Sequence, residues 1–333
     1  MSGSLEIRPL EPERDAESLL ATWAEVFGRE RSRAEWNWQT LANPGGIRAF
    51  VALDGDRVVA QYAGVPQRVW IDGRERSFTQ SVDSMVHPDY RKGLKRPGLF
   101  VELARAYFDH YGVRGPDAVH YGWPLEEAWR IGSRFLEYEC VREELVLVRE
   151  LDPAAREQAA ALVAADTCGV HPLELEGDEL RWLYERCSGA WGASCMRDAD
   201  YYAWRFRDHP AVDYELLGAR DAGGVLRGMA VLRRGDWLTP GSRALCDWLV
   251  PANEPEVAAR LLAAAGVAAS RDGGERLVTL LPEWSGQFQS FQADGWLVHP
   301  APYRLAGRCF DRDLDPLFLR EHWWMTLADS DLA

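Results

Sequence analysis

A cluster of basic side chains stands out in a chain that is acidic as a whole. The stretch from 91 to 96 contains Arg91, Lys92, Lys95 and Arg96. The formal net charge of the chain is −14, so this cluster is a local exception. Gly98 follows, and the apolar residues from Leu99 onward recur at helical spacing. A cationic loop that enters a helix N-terminus suits a polyanion, because backbone N–H groups and the helix dipole point towards the guest. We expect that guest to be phosphate.

The segment before the basic loop has the alternation of a β-strand. Phe78, Val82 and Val86 are expected on one face, with Asp83 and Met85 on the other. The region from 78 to 111 is therefore predicted to be a strand, a basic loop and an amphipathic helix.

This arrangement resembles the central motif of the GNAT superfamily of acyl-CoA-dependent N-acyltransferases. The resemblance is carried by Val86-His87-Pro88, by Asp89-Tyr90-Arg91 and by Gly98-Leu99-Phe100. It implies that the loop cradles the CoA pyrophosphate and that the preceding strand pairs with the pantetheine arm. The implied residues for binding acetyl-CoA, the implied co-substrate, are Met85, Val86, Arg91, Lys92, Gly93, Lys95, Arg96, Gly98, Leu99 and Phe100.

The spacing of the basic residues departs from the family pattern. The family usually places an Arg or Gln three residues before the first glycine, whereas Arg91 precedes Gly98 by seven. Either Lys95 takes that role or the loop carries an insertion.

Acyl transfer to an amine requires a neutral amine, a polarised thioester carbonyl and a proton for the departing thiolate. Asp83 is a candidate to accept the amine proton or to hold an ammonium group, with a purely structural role as the alternative. The segment 124–135 resembles a helix of the enhanced-intracellular-survival type of aminoglycoside acetyltransferase, in which a Tyr precedes Gly-Arg-Phe. Here that place holds Gly132 or Ser133, which leaves Ser133 and the nearby Tyr138 as candidate proton donors.

Aromatic residues are frequent, with 15 Trp among 333 residues. Trp38, Tyr62 and Trp123 are predicted to line the acceptor cleft, since aromatic rings contact sugars and cations. A core position is the alternative for each of them.

The length of the chain suggests two domains, and the second half repeats the first. Trp38 recurs as Trp204 at an offset of 166 residues, and Asp83 as Asp247 at an offset of 164. The predicted fold is α/β, with two tandem GNAT-like domains at 1–150 and 151–333, each a mixed, mostly antiparallel sheet flanked by helices. The second loop, 251–256, contains two Glu and no Arg, Lys or Gly, so we expect no CoA there.

Other classes of function find little support in the sequence. The six cysteines are scattered and the seven histidines lack ligand spacing, so neither a disulfide framework nor a metal is predicted. The acidic balance argues against nucleic-acid binding, and the sequence contains neither a long apolar run nor a signal-peptide pattern. We expect a cytoplasmic protein without a membrane partner. A homo-oligomer stays open.

The sequence thus favours an acetyl-CoA-dependent N-acetyltransferase acting on a primary amine of a small molecule by direct attack. Two alternatives stay open. One is a non-catalytic acyl-CoA-binding or scaffold protein, and the other is an aminoacyl or peptidyl transferase built from paired GNAT folds.

Overall fold

The computed structural model describes residues 5–91, 97–152 and 169–333. These residues contain nine α-helices and fourteen β-strands. The helices are α1 (Pro12–Phe27), α2 (Arg33–Thr40), α3 (Leu99–Phe108), α4 (Glu126–Phe135), α5 (Glu179–Ser188), α6 (Ala199–Tyr202), α7 (Pro255–Arg271), α8 (Gly286–Ala293) and α9 (Pro316–His322). None of the helices in these ranges is both long enough and apolar enough to cross a membrane.

The strands follow the chain from one end to the other. They are β1 (Glu6–Pro9), β2 (Arg48–Asp54), β3 (Arg57–Ile71), β4 (Arg74–Val86), β5 (Asp117–Gly122), β6 (Glu139–Glu150), β7 (Val170–Pro172), β8 (Ala193–Cys195), β9 (Tyr214–Arg220), β10 (Leu226–Arg233), β11 (Ser242–Leu249), β12 (Arg276–Thr279), β13 (Leu297–Cys309) and β14 (Trp323–Trp324).

The chain forms two compact units. Unit 1 comprises the described residues of Met1–Val69, Arg74–Arg142 and Tyr303–Leu319. Unit 2 comprises those of Trp70–Gly73, Glu143–Pro302 and Arg320–Ala333. Residues 303–319, which the sequence analysis assigned to the second domain, therefore pack within unit 1.

The sheet of unit 1 has the order β1-β2-β3-β4-β5-β13. The pairs β1–β2 and β2–β3 are antiparallel, β4–β5 is parallel, and β5–β13 is antiparallel. The sheet is therefore mixed and mostly antiparallel, as predicted.

Unit 2 repeats this pattern of pairing. Its order is β7-β9-β10-β11-β12-β6, and only the β11–β12 pair is parallel. In each unit the strand next to the parallel pair comes from the other half of the sequence. The mixed α/β fold is confirmed by these sheets.

Local signals in the sequence explain the first elements. Helix α1 has Pro12 in its first turn and ends at Gly28, which has a left-handed φ of 69°. Helix α2 begins at a capping box in which Ser32 and Glu35 satisfy each other's backbone N–H groups. Asp54-Gly55, a strong turn signal between two apolar runs, forms the hairpin turn between β2 and β3, with Gly55 at a φ of 63°.

Strand β13 was absent from the predicted elements. Its segment contains Pro300, Pro302 and Gly307, residue types that argue against a strand because proline cannot donate to the ladder. The strand forms because residues 306–309 pair with β5 from Ala306–Gly122 to Cys309–Val119. Long-range pairing thus overrides local propensity.

Two hydrophobic clusters lie in unit 1, and alternate residues of β2 and β3 point into one or the other. The α3 cluster includes Phe50, Val59, Tyr62, Val86, Leu103, Tyr107 and Phe108. The α1 cluster includes Leu19, Trp23, Trp36, Val51, Val58 and Met85. Alternation along β2 and β3 places these clusters on opposite faces of the sheet.

Unit 2 contains a buried ion cluster centred on Arg197. Its guanidinium donates to Asp247 through Nε at 2.9 Å and to both carboxylate oxygens of Asp329 at 2.7 and 2.8 Å. Thr326 Oγ1 also donates to Asp247 at 2.8 Å. Because all of these side chains are buried, the pairing compensates for charges removed from water.

We expect Arg197→Met to lower the free energy of unfolding by about 3–5 kcal/mol, because two buried carboxylates would be left without their cation. Chemical denaturation of the whole chain measures this. The matched control is Arg181→Met on α5, where the arginine side chain is 63% exposed and pairs with Glu185 at the surface. That variant should stay within about 0.5 kcal/mol of the parent. Equal destabilisation of the two variants would contradict the assignment.

Candidate active site

The parallel strands β4 and β5 separate midway along β4. Their paired register runs from Ser77–Asp117 to Gln80–Tyr121 in the described chain, whereas β4 continues to Val86. At the point of separation the strands are still close, since a Cβ on Gly122 would lie 3.2 Å from the Ser81 carbonyl oxygen. Beyond it, residues 81–86 of β4 have no further β5 partner among the described residues. An extended ligand can pair with a strand edge of this kind.

Asp83 lies within the unpaired part of β4 and has a φ of 51°. This left-handed conformation is uncommon for a non-glycine residue, although Asp tolerates it better than most. It interrupts the alternation of the strand. Ser81 contacts Tyr62 of the α3 cluster, yet Met85 packs in the α1 cluster and Val86 in the α3 cluster. The expectation that Val86 shares a face with Phe78 and Val82 is therefore wrong, because the irregularity at Asp83 shifts the pattern by one residue.

The shift points the Asp83 carboxylate towards helix α2. Arg31 Nη1 forms an ion pair with Asp83. Gln39 Nε2 donates to the same carboxylate at 2.9 Å, and Arg31 also donates to Gln39 Oε1. The side chain of Asp83 remains 22% exposed and that of Arg31 9%. We call Arg31, Gln39 and Asp83 the acceptor cluster.

Three of the predicted CoA-binding residues, Gly98, Leu99 and Phe100, form the N-terminus of α3, while Met85 and Val86 lie at the end of β4. Gly98 is the N-cap residue, and no side chain in the described chain caps this helix. Leu99 is buried and Phe100 is half-buried. Because the N-cap residue is a glycine, its own side chain does not cover the first backbone amide groups of α3. Lys92, Gly93, Lys95 and Arg96 lie outside the described residues.

Arg91 is the member of the basic loop that the structure describes. It is exposed, and its Nε donates to the Val86 carbonyl at 2.9 Å. The loop is thus tied back to the end of β4 at this residue.

Three hydroxyl groups form a chain of contacts that ends at the part of β4 beyond its last pair with β5. The hydroxyls of Tyr138 and Tyr62 are hydrogen-bonded, and Tyr62 is 3.3 Å from Ser81 Oγ. Ser81 is the first β4 residue beyond the paired register with β5. Burial, and then the neighbouring Tyr62, raise the pKa of Tyr138 well above its ordinary value. Tyr138 is consequently a neutral phenol at physiological pH.

Gly132 on α4 explains how Tyr138 reaches this position. A Cβ on Gly132 would lie 2.0 Å from Tyr138 Cδ2, so the ring lies directly against the glycine. Ser133 is exposed, and its hydroxyl lies 3.5 Å from the Arg130 carbonyl. The structure therefore brings Tyr138, and not Ser133, into contact with Tyr62, which in turn contacts Ser81.

The three predicted acceptor-lining aromatics lie in different surroundings. Tyr62 is 1% exposed, and its ring packs against Phe100, Tyr107 and Phe108. Trp38, near the end of α2, is half-buried, as is Trp123, whose ring centroid is 5.8 Å from that of Tyr121. Their role in acceptor binding stays a prediction.

The sequence analysis did not single out Arg31 or Gln39. The signal was present in the repeat, because the offset of 166 residues that relates Trp38 to Trp204 also relates Arg31 to Arg197. Side-chain contacts follow the same offset. Ser32 accepts from Glu35 N and Asp198 from Tyr201 N, each at a helix N-cap.

Unit 2 shows a different occupant at the place of the basic loop. Strand β11 continues to Leu249, beyond its last pair with β12 at Leu245–Thr279, and α7 follows. The N-cap residue of α7 is Glu254, whose carboxylate accepts from Arg227 at 2.7 and 3.0 Å and pairs with Arg186. A carboxylate of the protein itself therefore lies where a ligand phosphate is expected in unit 1.

The comparisons with known proteins agree with this geometry. Residues 6–135 match the family described as the acetyltransferase (GNAT) domain. No curated protein matches the sequence. The matched residues include the separating strands and the acceptor cluster, and Tyr138 follows three residues after their end.

Solved structures extend the likeness in fold over most of the chain. A probable N-acyltransferase of Enterococcus faecalis V583 is similar with a TM-score of 0.64 at 13% identity, covering 96% of this chain and 75% of that one. A GCN5-related N-acetyltransferase of Kribbella flavida has a TM-score of 0.61 at 16% identity, covering 92% and 72%. Saccharomyces cerevisiae N-myristoyltransferase with bound myristoyl-CoA has a TM-score of 0.56 at 13% identity, covering 92% and 82%.

Metal ligation was tested on the same residues. Across 5–91, 97–152 and 169–333, no group of three or more His, Cys, Asp or Glu side chains is arranged to hold a metal ion. None of the five cysteines in these ranges forms a disulfide with another of them.

The contact between Gly132 and Tyr138 can be tested by adding one methyl group. We expect Gly132→Ala to destabilise the protein by about 1–3 kcal/mol, because the new Cβ must displace the Tyr138 ring. Thermal or urea unfolding measures this. Gly286→Ala on α8 is the matched control, since a Cβ there meets nothing within 4 Å. A Gly132→Ala protein as stable as the control would show that the ring lies elsewhere.

Proposed function

We propose that the GNAT domain of unit 1 binds acetyl-CoA and transfers its acetyl group to a primary amine of a small molecule. The observation that carries this proposal is the separation of β4 from β5 ahead of the glycine-capped N-terminus of α3. An extended pantetheine arm can pair with the free edge of β4, and the pyrophosphate can bind at the helix N-terminus. The match of residues 6–135 to the acetyltransferase domain supports the same function.

The proposed reaction is a direct transfer without an acyl-enzyme. The amine nitrogen attacks the thioester carbonyl carbon, a C–N bond forms and the C–S bond breaks. The nitrogen loses one proton to solvent or to a neighbouring base, and the CoA thiolate receives one. Strand N–H groups near Met85 and Val86 polarise the carbonyl in this scheme.

In this proposal the thiolate takes a proton from Ser81, Ser81 takes one from Tyr62 and Tyr62 takes one from Tyr138, and Tyr138 recovers its proton through solvent from the one that the amine releases. Support comes from the hydroxyl chain that ends at the first unpaired residue of β4. The raised pKa of Tyr138 means that its phenol is protonated at neutral pH. In this proposal Tyr138 replaces the helix tyrosine whose place is taken by Gly132 or Ser133.

Asp83 positions the acceptor in this proposal. Its carboxylate is already paired with Arg31 and Gln39, which lowers its suitability as the base that abstracts a proton. Asp247 forms the related pair with Arg197 in unit 2. A duplicated ion pair fits a role in shaping the cleft.

Unit 2 is, in our proposal, a second GNAT-like domain that does not bind CoA. Its strand order and its N-cap at Asp198 repeat those of unit 1. The carboxylate of Glu254 at the N-terminus of α7 repels phosphate and uses the two arginines that could bind it. The chain therefore binds one CoA.

Calorimetry with acetyl-CoA tests the cofactor site. We expect one molecule bound per chain, and Arg91→Glu with Arg96→Glu should weaken binding by about 1–3 kcal/mol for each arginine that no longer binds a phosphate. Arg114→Glu with Arg181→Glu changes the net charge equally at exposed positions and should leave the affinity nearly unchanged. Equal weakening in both double variants would indicate an effect of net charge alone. A stoichiometry of two would contradict the assignment of unit 2.

Steady-state thiol release tests the proton donor. Tyr138→Phe should lower kcat about a hundredfold with little change in the KM for acetyl-CoA, because the phenol acts on the leaving group. Tyr111→Phe is the control, since that hydroxyl donates to the Ala49 carbonyl at 3.5 Å and not to the hydroxyl chain. Because the pKa of Tyr138 is raised, its ionisation should cause no fall in kcat between about pH 7 and 10. A kcat for Tyr138→Phe that equals the control value would remove Tyr138 from the mechanism.

A further inference from the structure

Each unit contains an arginine–aspartate pair, and the two pairs are related. Among the described residues, only the arginine of unit 2 binds a further carboxylate of the protein. In unit 1 Arg31 pairs with Asp83, and in unit 2 Arg197 pairs with Asp247. The residues correspond at the offsets of 166 and 164 that relate the repeats. Unit 2 therefore shows what kind of group such a pair can bind.

The ligand of the pair in unit 2 is a carboxylate on the segment 326–330. Arg197 donates through Nη1 and Nη2 to the two oxygens of Asp329, at 2.8 and 2.7 Å. Thr326 from the same segment donates to Asp247 at 2.8 Å. The fork of a guanidinium matches a carboxylate in this way.

A second arginine of unit 2 fixes the backbone of that segment. Arg205 donates to the carbonyls of Ala328 at 3.2 Å and Ser330 at 2.7 Å. The offset of 166 residues relates Arg205 to Gln39 of unit 1. Among the described residues, the polar partners of Arg31 are Asp83 and Gln39, and no segment like 326–330 contacts it.

The charges of the two clusters differ by one cation and one anion. In unit 2, Arg197 pairs with both Asp247 and Asp329, and Arg205 adds a second cation that donates to backbone carbonyls of the segment carrying Asp329. In unit 1, Arg31 balances Asp83 and Gln39 is neutral, so the acceptor cluster as the structure describes it has no counterpart of Arg205 or Asp329. A guest that brings one ammonium and one carboxylate restores the full set without unpaired charge, which a low-dielectric cleft disfavours.

We propose that the acceptor amine of unit 1 carries a carboxylate, as amino acids do, and that this carboxylate lies against Arg31 as Asp329 lies against Arg197. The ammonium or amine of the same molecule then lies on the side of Asp83 and Gln39. Asp83 precedes Met85 by two residues, so the nitrogen is held beside the part of β4 proposed to polarise the thioester. This inference rests on the proposed function of unit 1, whose acceptor it specifies.

A panel of matched acceptors tests the inference. The probes are glycine, β-alanine, 4-aminobutyrate and the common L-amino acids, each beside its carboxamide, together with putrescine and glucosamine. We expect kcat/KM for the best carboxylate-bearing amine to exceed that of its amide by about 10- to 100-fold, the range of a charge-assisted hydrogen bond. Putrescine or an amide accepted as well as any acid would overturn the inference and leave the acetyltransferase function intact. Acetyl-CoA binding without transfer to any probe would overturn both.

Variants then locate the recognition at Arg31. In Arg31→Gln the ratio of kcat/KM between acid and amide should fall towards one, while the affinity for acetyl-CoA stays unchanged. Arg181→Gln, at an exposed position of unit 2, should keep the ratio of the parent. An unchanged ratio in Arg31→Gln would overturn the inference.

Gln39→Arg provides a test that does not require removal of Arg31. It gives unit 1 the cation that Arg205 supplies in unit 2, so the ammonium of a zwitterion becomes redundant. We expect the KM of the best amino acid to rise at least about tenfold and the matching acid without its amine to become the tighter inhibitor. If neither value changes, the charge relation between the two clusters is wrong.

Discussion

The structure depends on a parallel pair of strands that stays together only at its beginning. In unit 1 the hydrogen-bonded register of β4 and β5 ends at Gln80 and Tyr121, and the remainder of β4 lies at an open edge. A backbone edge without a strand partner must find other hydrogen bonds, from water or from a ligand. The cofactor proposal follows from this requirement. Gly122 lies at the point of separation, where a Cβ would be 3.2 Å from the Ser81 carbonyl oxygen, closer than most Cβ contacts.

The irregularity at Asp83 connects the unpaired part of β4 with Arg31 and Gln39 of the acceptor cluster. A regular strand would turn this carboxylate towards the α3 cluster, which is lined by aromatic rings. The left-handed φ at Asp83 instead directs the carboxylate to Arg31 and Gln39. The energy of this strained conformation is offset by an ion pair and an amide hydrogen bond. Asp83 therefore places its side chain on one side of β4, while the backbone edge proposed to bind the cofactor belongs to the strand itself.

The sequence predicted the elements that local chemistry determines. Helix α1 ends at Gly28, and the hairpin turns at Gly55, because a left-handed φ favours glycine at both positions. The central strand and helix followed from their periodicity, although the exact face of Val86 did not. Periodicity assumes a regular strand, and Asp83 breaks that regularity. Strand β13 could not be predicted either, since Pro300 and Pro302 hide it and its partner β5 lies far away in the sequence.

The candidate site was predictable where it resembles a family motif and obscure where it depends on packing. Tyr138 follows α4 in sequence, and only the contact of its ring with Gly132 reveals that it occupies the space that a side chain on the helix would fill. In the proposed mechanism Tyr138, from the segment after α4, replaces the tyrosine that α4 lacks. In unit 2, Glu254 and Asp329 occupy the places at which we propose that ligands bind in unit 1. Unit 2 gains stability from these internal carboxylate contacts. In our proposal unit 1 lacks the equivalent contacts because ligands bind there. The differences between the two halves are therefore as informative about the ligands as their likeness is about the fold.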